Sequence, residues 1–195
     1  PSCLTLLSIL IIQRDNGKLK FRAILSLPVD LKKVWYATII TCIIYIVLAN
    51  TILMLCNVAG GFIIQHIFDI PMTISPIQAL CGTLCIILAS IWNIPLCLWF
   101  AKKMGVFATL ILNVGMSFML GTLGANTNFW FVCPYSWVTR LMVPTLRILP
   151  NGEPATGSAL STPLPLIIMT ICLSLVLLYI ISKLTAKSFT KQEVL

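Results

Sequence analysis

The sequence predicts an all-α fold, a polytopic bundle of transmembrane helices, and two observations point to it. Hydrophobic residues make up 59% of the 195 residues and charged residues only 9%, whereas soluble domains average about 45–50% and about 25%. The chain also contains four apolar runs of roughly the 20 residues that a spanning helix needs. This composition excludes a disordered chain, a nucleic-acid-binding domain and an ordinary soluble enzyme.

The predicted elements are four complete spans and the end of another. Residues 1–12 are apolar but too short to span, and we interpret them as the tail of a helix that begins before Pro1. Pro95 is expected to kink the second complete span, and residues 61–76 are expected to form a loop after the first. The complete spans are predicted at residues 37–60, 77–101, 106–125 and 163–182.

The basic residues indicate how the spans are oriented. If segment 13–36 is cytoplasmic and the spans alternate, 11 of the 13 basic residues lie in the cytoplasm, including Lys102 and Lys103 in a tight turn. Only Arg140 and Arg147 then lie outside. Because cytoplasmic loops are enriched in Lys and Arg, the formal net charge of +8 is mainly a signal of topology.

Residues 126–162 connect the last two spans, and we expect them on the outer side of the membrane. Residues 129–149 are long enough to span, but Arg140 near their centre costs about 2.5–3.5 kcal/mol to insert. A full span here would also move the basic tail to the outer side. Together with Pro134 and the interfacial aromatic Trp130, this predicts a segment that is re-entrant or lies on the outer surface.

No residue pattern for catalysis or cofactor binding is present. The chain lacks the GxxxxGK[ST] phosphate-binding loop. His66 and Asp69 are three residues apart, but a zinc site generally needs three or four ligands. The eight cysteines, with Cys81 and Cys85 one helical turn apart, are interpreted as small packing residues. We therefore expect no catalytic residue, no metal and no cofactor in this chain.

Side-chain amides inside the spans are the most informative polar residues. An amide in the membrane usually bonds to another helix. These residues therefore either hold helices together or line a path for a polypeptide or lipid-like substrate, and Trp130 and Arg140 are open to the same two interpretations. The amides are Asn50, Asn57, Asn93 and Asn113.

Small residues recur every four positions in two of the spans. Ser117, Gly121 and Ala125 form one such series, and Cys81 and Cys85 continue to Ala89 in the other. Small residues at this spacing let helices approach closely. The contact is either within this chain or with a second membrane subunit, and the sequence leaves both open.

A basic amphipathic segment precedes the first complete span. Residues 18–25 place Phe21 and Leu25 four positions apart, with basic residues interleaved. Such a helix either lies on anionic lipid headgroups or docks a cytoplasmic partner.

Four short motifs occur in a fixed order along essentially the whole chain. They are Asp15-Asn16-Gly17-Lys18 followed by Ile24-Leu25-Ser26-Leu27-Pro28-Val29, the Lys102-Lys103 turn, the stretch Trp130 to Tyr135 with Ser136-Trp137 and Arg140-Leu141, and Leu149-Pro150-Asn151-Gly152. In their order and spacing the chain resembles the permease subunits of ABC-2 type transporters and, more narrowly, the bacterial lantibiotic self-protection (immunity) permeases.

The resemblance implies one ABC-2 type transmembrane domain over residues 1–195, with six spans in a full-length protein. It implies a multi-pass protein of the bacterial cell membrane, not itself an enzyme, that works with a separate ABC ATPase subunit, a second homologous permease subunit and membrane lipids. The implied substrate is a lantibiotic, a cationic lanthionine peptide exported from the membrane of the producing cell. The alternative substrate is a polysaccharide, a lipid or a drug.

The resemblance also places the contact with the ATPase in segment 13–36. Family members often carry Glu near the start of this segment, where this chain has Asp15. The implied coupling residues are Lys18, Lys20, Phe21, Arg22, Leu25, Pro28 and Asp30.

Overall fold

The structure, a computed structural model, describes residues 2–15, 30–69, 74–127, 130–149, 155 and 162–190. These residues are almost entirely helical, which confirms the predicted all-α class. The helices are α1 (Ser2–Asp15), α2 (Leu31–Phe68), α3 (Pro76–Ser90), α4 (Asn93–Met104), α5 (Val106–Ala125), α6 (Pro134–Leu146) and α7 (Leu164–Thr190), with a short 3₁₀ helix at Trp130–Val132.

Among the described residues, three helices are long and apolar enough to cross a membrane. They are α2, α5 and α7. Helices α3 and α4 pass the same test only as a pair that is broken between them. The described chain thus has three candidate spans, or four if the broken pair counts as one, which is compatible with a multi-pass membrane protein.

Helix α2 is longer than the predicted span at both ends. It begins after Asp30, whose carboxylate Oδ1 accepts the backbone N–H of Lys32 at 3.0 Å, so Asp30 acts as an N-cap. It ends before Asp69, which has a positive φ of 52°. The prediction of a loop from residue 61 was wrong for residues 61–68, because two glycines cost a helix roughly 1 kcal/mol each but do not end an apolar run without proline.

The predicted interruption of the second span lies one turn before Pro95. Proline has no N–H to donate and its ring clashes with the carbonyl four residues earlier. That carbonyl belongs to Ile91, and it accepts the N–H of Ile94 at 3.1 Å instead. The helix is therefore broken at residues 91–92, and Asn93 becomes the first residue of α4.

The third predicted span has the predicted ends, whereas the fourth is longer than predicted. Helix α5 occupies residues 106–125 as predicted, after Gly105 with φ 82°. The turn expected at residues 102–105 is shorter, because Lys102 and Lys103 belong to the last turn of α4. Helix α7 continues past the predicted residue 182 to Thr190, so the lysines expected in a tail at 183 and 187 lie on a helix.

The described part of segment 126–162 contains only short helices. The 3₁₀ helix has three residues and α6 has 13. Thirteen residues rise about 20 Å, which is less than the roughly 30 Å of a bilayer core. No complete fifth span therefore occurs in the described residues, as the position of Arg140 predicted.

The chain divides into two compact units that share the long helices. The first unit comprises Pro1–Ile46, Ile91–Phe118 and Leu173–Leu195, and in it α1 packs on α4. The second comprises Val47–Ser90 and Met119–Cys172, and in it α3 packs on α6.

Candidate functional site

A cluster of four polar side chains is buried in the first unit, and we call it the amide cluster. It consists of Thr5, Asn93, Cys97 and Asn113, each at most 4% exposed. The Nδ2 group of Asn113 donates to Thr5 Oγ1 at 2.9 Å and also to Cys97 Sγ. The Nδ2 group of Asn93 donates to Asn113 Oδ1 at 3.1 Å. The Cys97 thiol in turn faces Asn93 Oδ1 at 3.6 Å.

The local sequence explains why these side chains meet. Asn93 is the first residue of α4 and Cys97 lies one turn later, so both point to the same face. Thr5 comes from α1, which packs against α4, and Asn113 comes from α5. Buried polar groups are stable only when they are paired, and each member of the amide cluster supplies the partner of another.

The amide cluster binds helices together and carries no titratable acid–base pair. Its donors and acceptors are amides, one hydroxyl and one thiol. Because Asn93 follows the break directly, the amide cluster joins the chain at the broken span to α1 and α5. Any movement of α4 away from these two helices has to break or exchange these hydrogen bonds.

A second cluster joins the ends of three helices in the first unit, and we call it the aromatic–lysine cluster. Trp35 at the start of α2 donates its indole N–H to Thr185 Oγ1 of α7 at 3.0 Å. Trp99 of α4 donates to Ser188 Oγ of α7, also at 3.0 Å. Phe189 stacks on Trp35 with 4.8 Å between ring centroids.

This cluster brings the basic ends of α2, α4 and α7 to one end of the first unit. Lys102 Nζ lies 3.6 Å from the centroid of the Phe189 ring, and Lys103 Nζ lies 4.7 Å from that of Trp99. The arrangement agrees with the orientation deduced from charge, which puts these ends on the same side of the membrane. The basic residues at this end are Lys32, Lys33, Lys102, Lys103, Lys183 and Lys187.

The structure joins two of the four asparagines, Asn93 and Asn113, by a hydrogen bond. Asn93 and Asn113 form the amide cluster, whereas Asn50 and Asn57 belong to the second unit. Asn57 is exposed and donates to the carbonyl of Leu53 in its own helix at 2.8 Å. Asn50 is half-buried.

Arg140 stabilises the end of α5 in the second unit. Its Nη1 donates to the carbonyl of Ala125, the last residue of α5, at 3.2 Å, which satisfies a free carbonyl at the negative end of the helix. Its guanidinium carbon lies 5.7 Å from the centroid of the Trp130 ring. Partial burial lowers the pKa of Arg140. Both residues therefore make contacts within the chain.

Some small residues of the predicted series also pack within the second unit. A Cβ added to Gly121 would lie 3.3 Å from the backbone oxygen of Tyr135, and Ala125 is 1% exposed. Ser117 belongs to the first unit, where it is half-buried with an unpaired Oγ. In α3 the close approach occurs at Gly82, beside Leu146, rather than at the exposed Cys81.

The predicted coupling residues and the weak metal pair are placed as follows. Asp30 is exposed and caps α2; the other predicted coupling residues, from Lys18 to Pro28, lie outside the described residues. His66 and Asp69 are exposed at the end of α2. Within the described part of the chain, no group of three or more His, Cys, Asp or Glu residues could hold a metal ion.

Sequence reasoning missed Thr5 and Cys97. Thr5 lies in a short apolar stretch, and Cys97 was counted among the small packing residues. Their partner Asn113 is 108 and 16 residues away along the chain, so no local pattern reveals the contact. The sequence signal that could have identified them is that Asn93 and Asn113 need polar partners in an otherwise apolar bundle.

No protein-family model, curated protein or solved structure matches this chain.

Proposed function

We propose that the chain is the permease subunit of an ATP-driven ABC exporter that removes a lantibiotic peptide from the membrane of the producing bacterium. The observation that carries the proposal is the broken span whose break is held by the buried amide cluster. A helix interrupted at membrane depth with polar groups beside the break is a recurring feature of transport proteins. The order of the four sequence motifs supports the ABC-2 type over other transporters.

In this proposal the amide cluster is the part that changes between conformations. Hydrogen bonds between uncharged groups in the membrane contribute roughly 0.6–2 kcal/mol each, so they can be exchanged without a large energy input. ATP is hydrolysed on a separate subunit, and this chain, paired with a second homologous permease, transmits the movement. In this proposal segment 13–36 contacts the ATPase through its basic residues.

The immunity role is tested by deleting the gene in a strain that produces the peptide. We expect the deletion strain to become sensitive to its own lantibiotic and the wild-type gene to restore resistance. An Asn93→Leu, Asn113→Leu variant should restore little resistance although it is present in the membrane. The matched control is Asn57→Leu, which changes an amide outside the amide cluster. If the deletion left the sensitivity to the lantibiotic unchanged, the immunity role would be refuted.

A second candidate function keeps the ABC-2 permease and changes the substrate to a polysaccharide, a lipid or a drug. The observation in favour of this second function is that the amide cluster carries no charge. Amides and hydroxyls do not select specifically for a cationic peptide. A deletion strain that tolerates its peptide but loses a cell-surface polymer, a lipid or resistance to a drug would support this second function.

A further inference from the structure

The aromatic–lysine cluster surrounds a narrow groove at one end of the first unit. The groove is lined by Trp35, Trp99, Lys102, Lys103, Ser188 and Phe189. It is too narrow to admit a water molecule, so any ligand has to lie at its rim. We call the part of its lining formed by Lys102 and Lys103 the rim.

Both lysines at the rim are held in place by aromatic rings. Lys102 Nζ is 3.6 Å from the centroid of the Phe189 ring, and Lys103 Nζ is 4.7 Å from that of Trp99. Cation–π contact fixes the ammonium groups without neutralising their charge. Lys102 is half-buried and Lys103 is exposed.

The rings themselves are rigidly fixed. Trp35 is 2% exposed and bonded to Thr185, and Trp99 is bonded to Ser188. Pre-organised side chains lose less entropy when a ligand binds. The groove rim therefore presents the ammonium groups of Lys102 and Lys103 in fixed positions. They lie beside aromatic rings with no room for water between them, where α2, α4 and α7 meet.

We propose that this rim binds the phosphate of an anionic phospholipid in the inner leaflet. Trp and Lys side chains at the end of a span lie at the depth of the headgroups, and basic pockets between transmembrane helices on the cytoplasmic side bind such headgroups. The other basic ends of α2 and α7 add attraction for a negative charge. The site goes beyond the proposed function and does not depend on the exported substrate.

The test uses the full chain in lipid nanodiscs of mixed composition. Trp92, Trp130 and Trp137 are replaced by Phe, so that only Trp35 and Trp99 of the five tryptophans remain. Phosphatidylglycerol or phosphatidylcholine carries bromine on the acyl chain near the headgroup, and quenching of the tryptophan fluorescence then reports which lipid lies beside these two residues. We expect brominated phosphatidylglycerol to quench more strongly at equal mole fraction. In the variant Lys102→Gln, Lys103→Gln this preference should fall about fivefold or more, since a lysine near an anionic surface contributes about a factor of five.

Two control variants separate a site from a general surface potential. Lys32→Gln, Lys33→Gln removes the same charge at the same end and should leave most of the preference. The variant Lys102→Arg, Lys103→Arg keeps the charge and should also keep the preference for phosphatidylglycerol. Equal quenching by the two lipids in the wild type would overturn the proposal. So would equal loss in both Gln variants, or displacement of the lipid by millimolar inorganic phosphate, which would indicate a site for a soluble anion.

Discussion

At the scale of single residues, the hydrogen bonds of the amide cluster hold α1, α4 and α5 together in the first unit. Asn113 uses both N–H groups of its amide and accepts from Asn93 as well. In a membrane there is no water to replace a lost partner. The sequence left open whether Asn93 and Asn113 join helices or line a path, and in the structure their amides bond to each other between α4 and α5.

Replacing Asn113 by Leu should lower the free energy of unfolding by about 1–2 kcal/mol, because it leaves the buried Asn93 amide and Thr5 hydroxyl each short of a partner. The measurement is reversible unfolding of the purified protein in mixed micelles. Asn57→Leu is the matched control, since the exposed Asn57 bonds only within its own helix, and it should change stability by less than about 0.5 kcal/mol. Equal effects would contradict the role given to the amide cluster.

At the scale of helices, the sequence predicted the existence of the elements better than their ends. Helix α5 has the predicted bounds, because Gly105 separates it from α4 and its apolar run ends with it. Helices α2 and α7 extend beyond their apolar centres, since hydropathy marks the part that suits the bilayer and not the last hydrogen-bonded turn. The N-cap at Asp30 and the continuation of α7 through two lysines are therefore not visible in a hydropathy pattern.

The packing of α3 on α6 depends on Gly82. A Cβ at this position would lie 2.7 Å from Leu146 Cγ, and such overpacking costs about 1–3 kcal/mol. Because alanine gains about 1 kcal/mol over glycine in a helix, Gly82→Ala should destabilise the protein by up to about 2 kcal/mol. Gly60→Ala is the control, because a Cβ there meets nothing within 4 Å, and alanine is favoured over glycine in a helix by about 1 kcal/mol. The midpoint of thermal unfolding should fall for the first variant and not for the second. A shift of the same sign in both variants would contradict the close packing of α3 on α6 at Gly82.

At the scale of the whole molecule, the distribution of charge predicts which helix ends face the cytoplasm. Helix α2 then begins inside and ends outside. A cysteine placed at Asp69 should react with a membrane-impermeant maleimide on intact cells, whereas one at Lys103 should react only after the cells are permeabilised. Labelling is compared with the parent protein, whose eight cysteines give the same background in both variants. Reaction of the Lys103→Cys variant on intact cells would reverse the topology.

The proposed contact with an ATPase is also tested at this scale. Charge reversal at Lys18, Lys20 and Arg22 should abolish co-purification of the ATPase, while the protein still inserts into the membrane and keeps its lipid preference. The control reverses Lys183 and Lys187, two basic residues that lie outside segment 13–36. If the ATPase still binds normally to the triple variant, residues 18–25 form only a helix on the lipid surface.

The proposed function is export of a lantibiotic from the membrane with energy from ATP. The most direct measurement is the amount of labelled peptide that stays with energised cells compared with the amount in the medium. Cells that contain the protein and its ATPase should retain less peptide than cells lacking it, and the difference should disappear when ATP is depleted. Equal retention in the two strains before depletion would contradict the account.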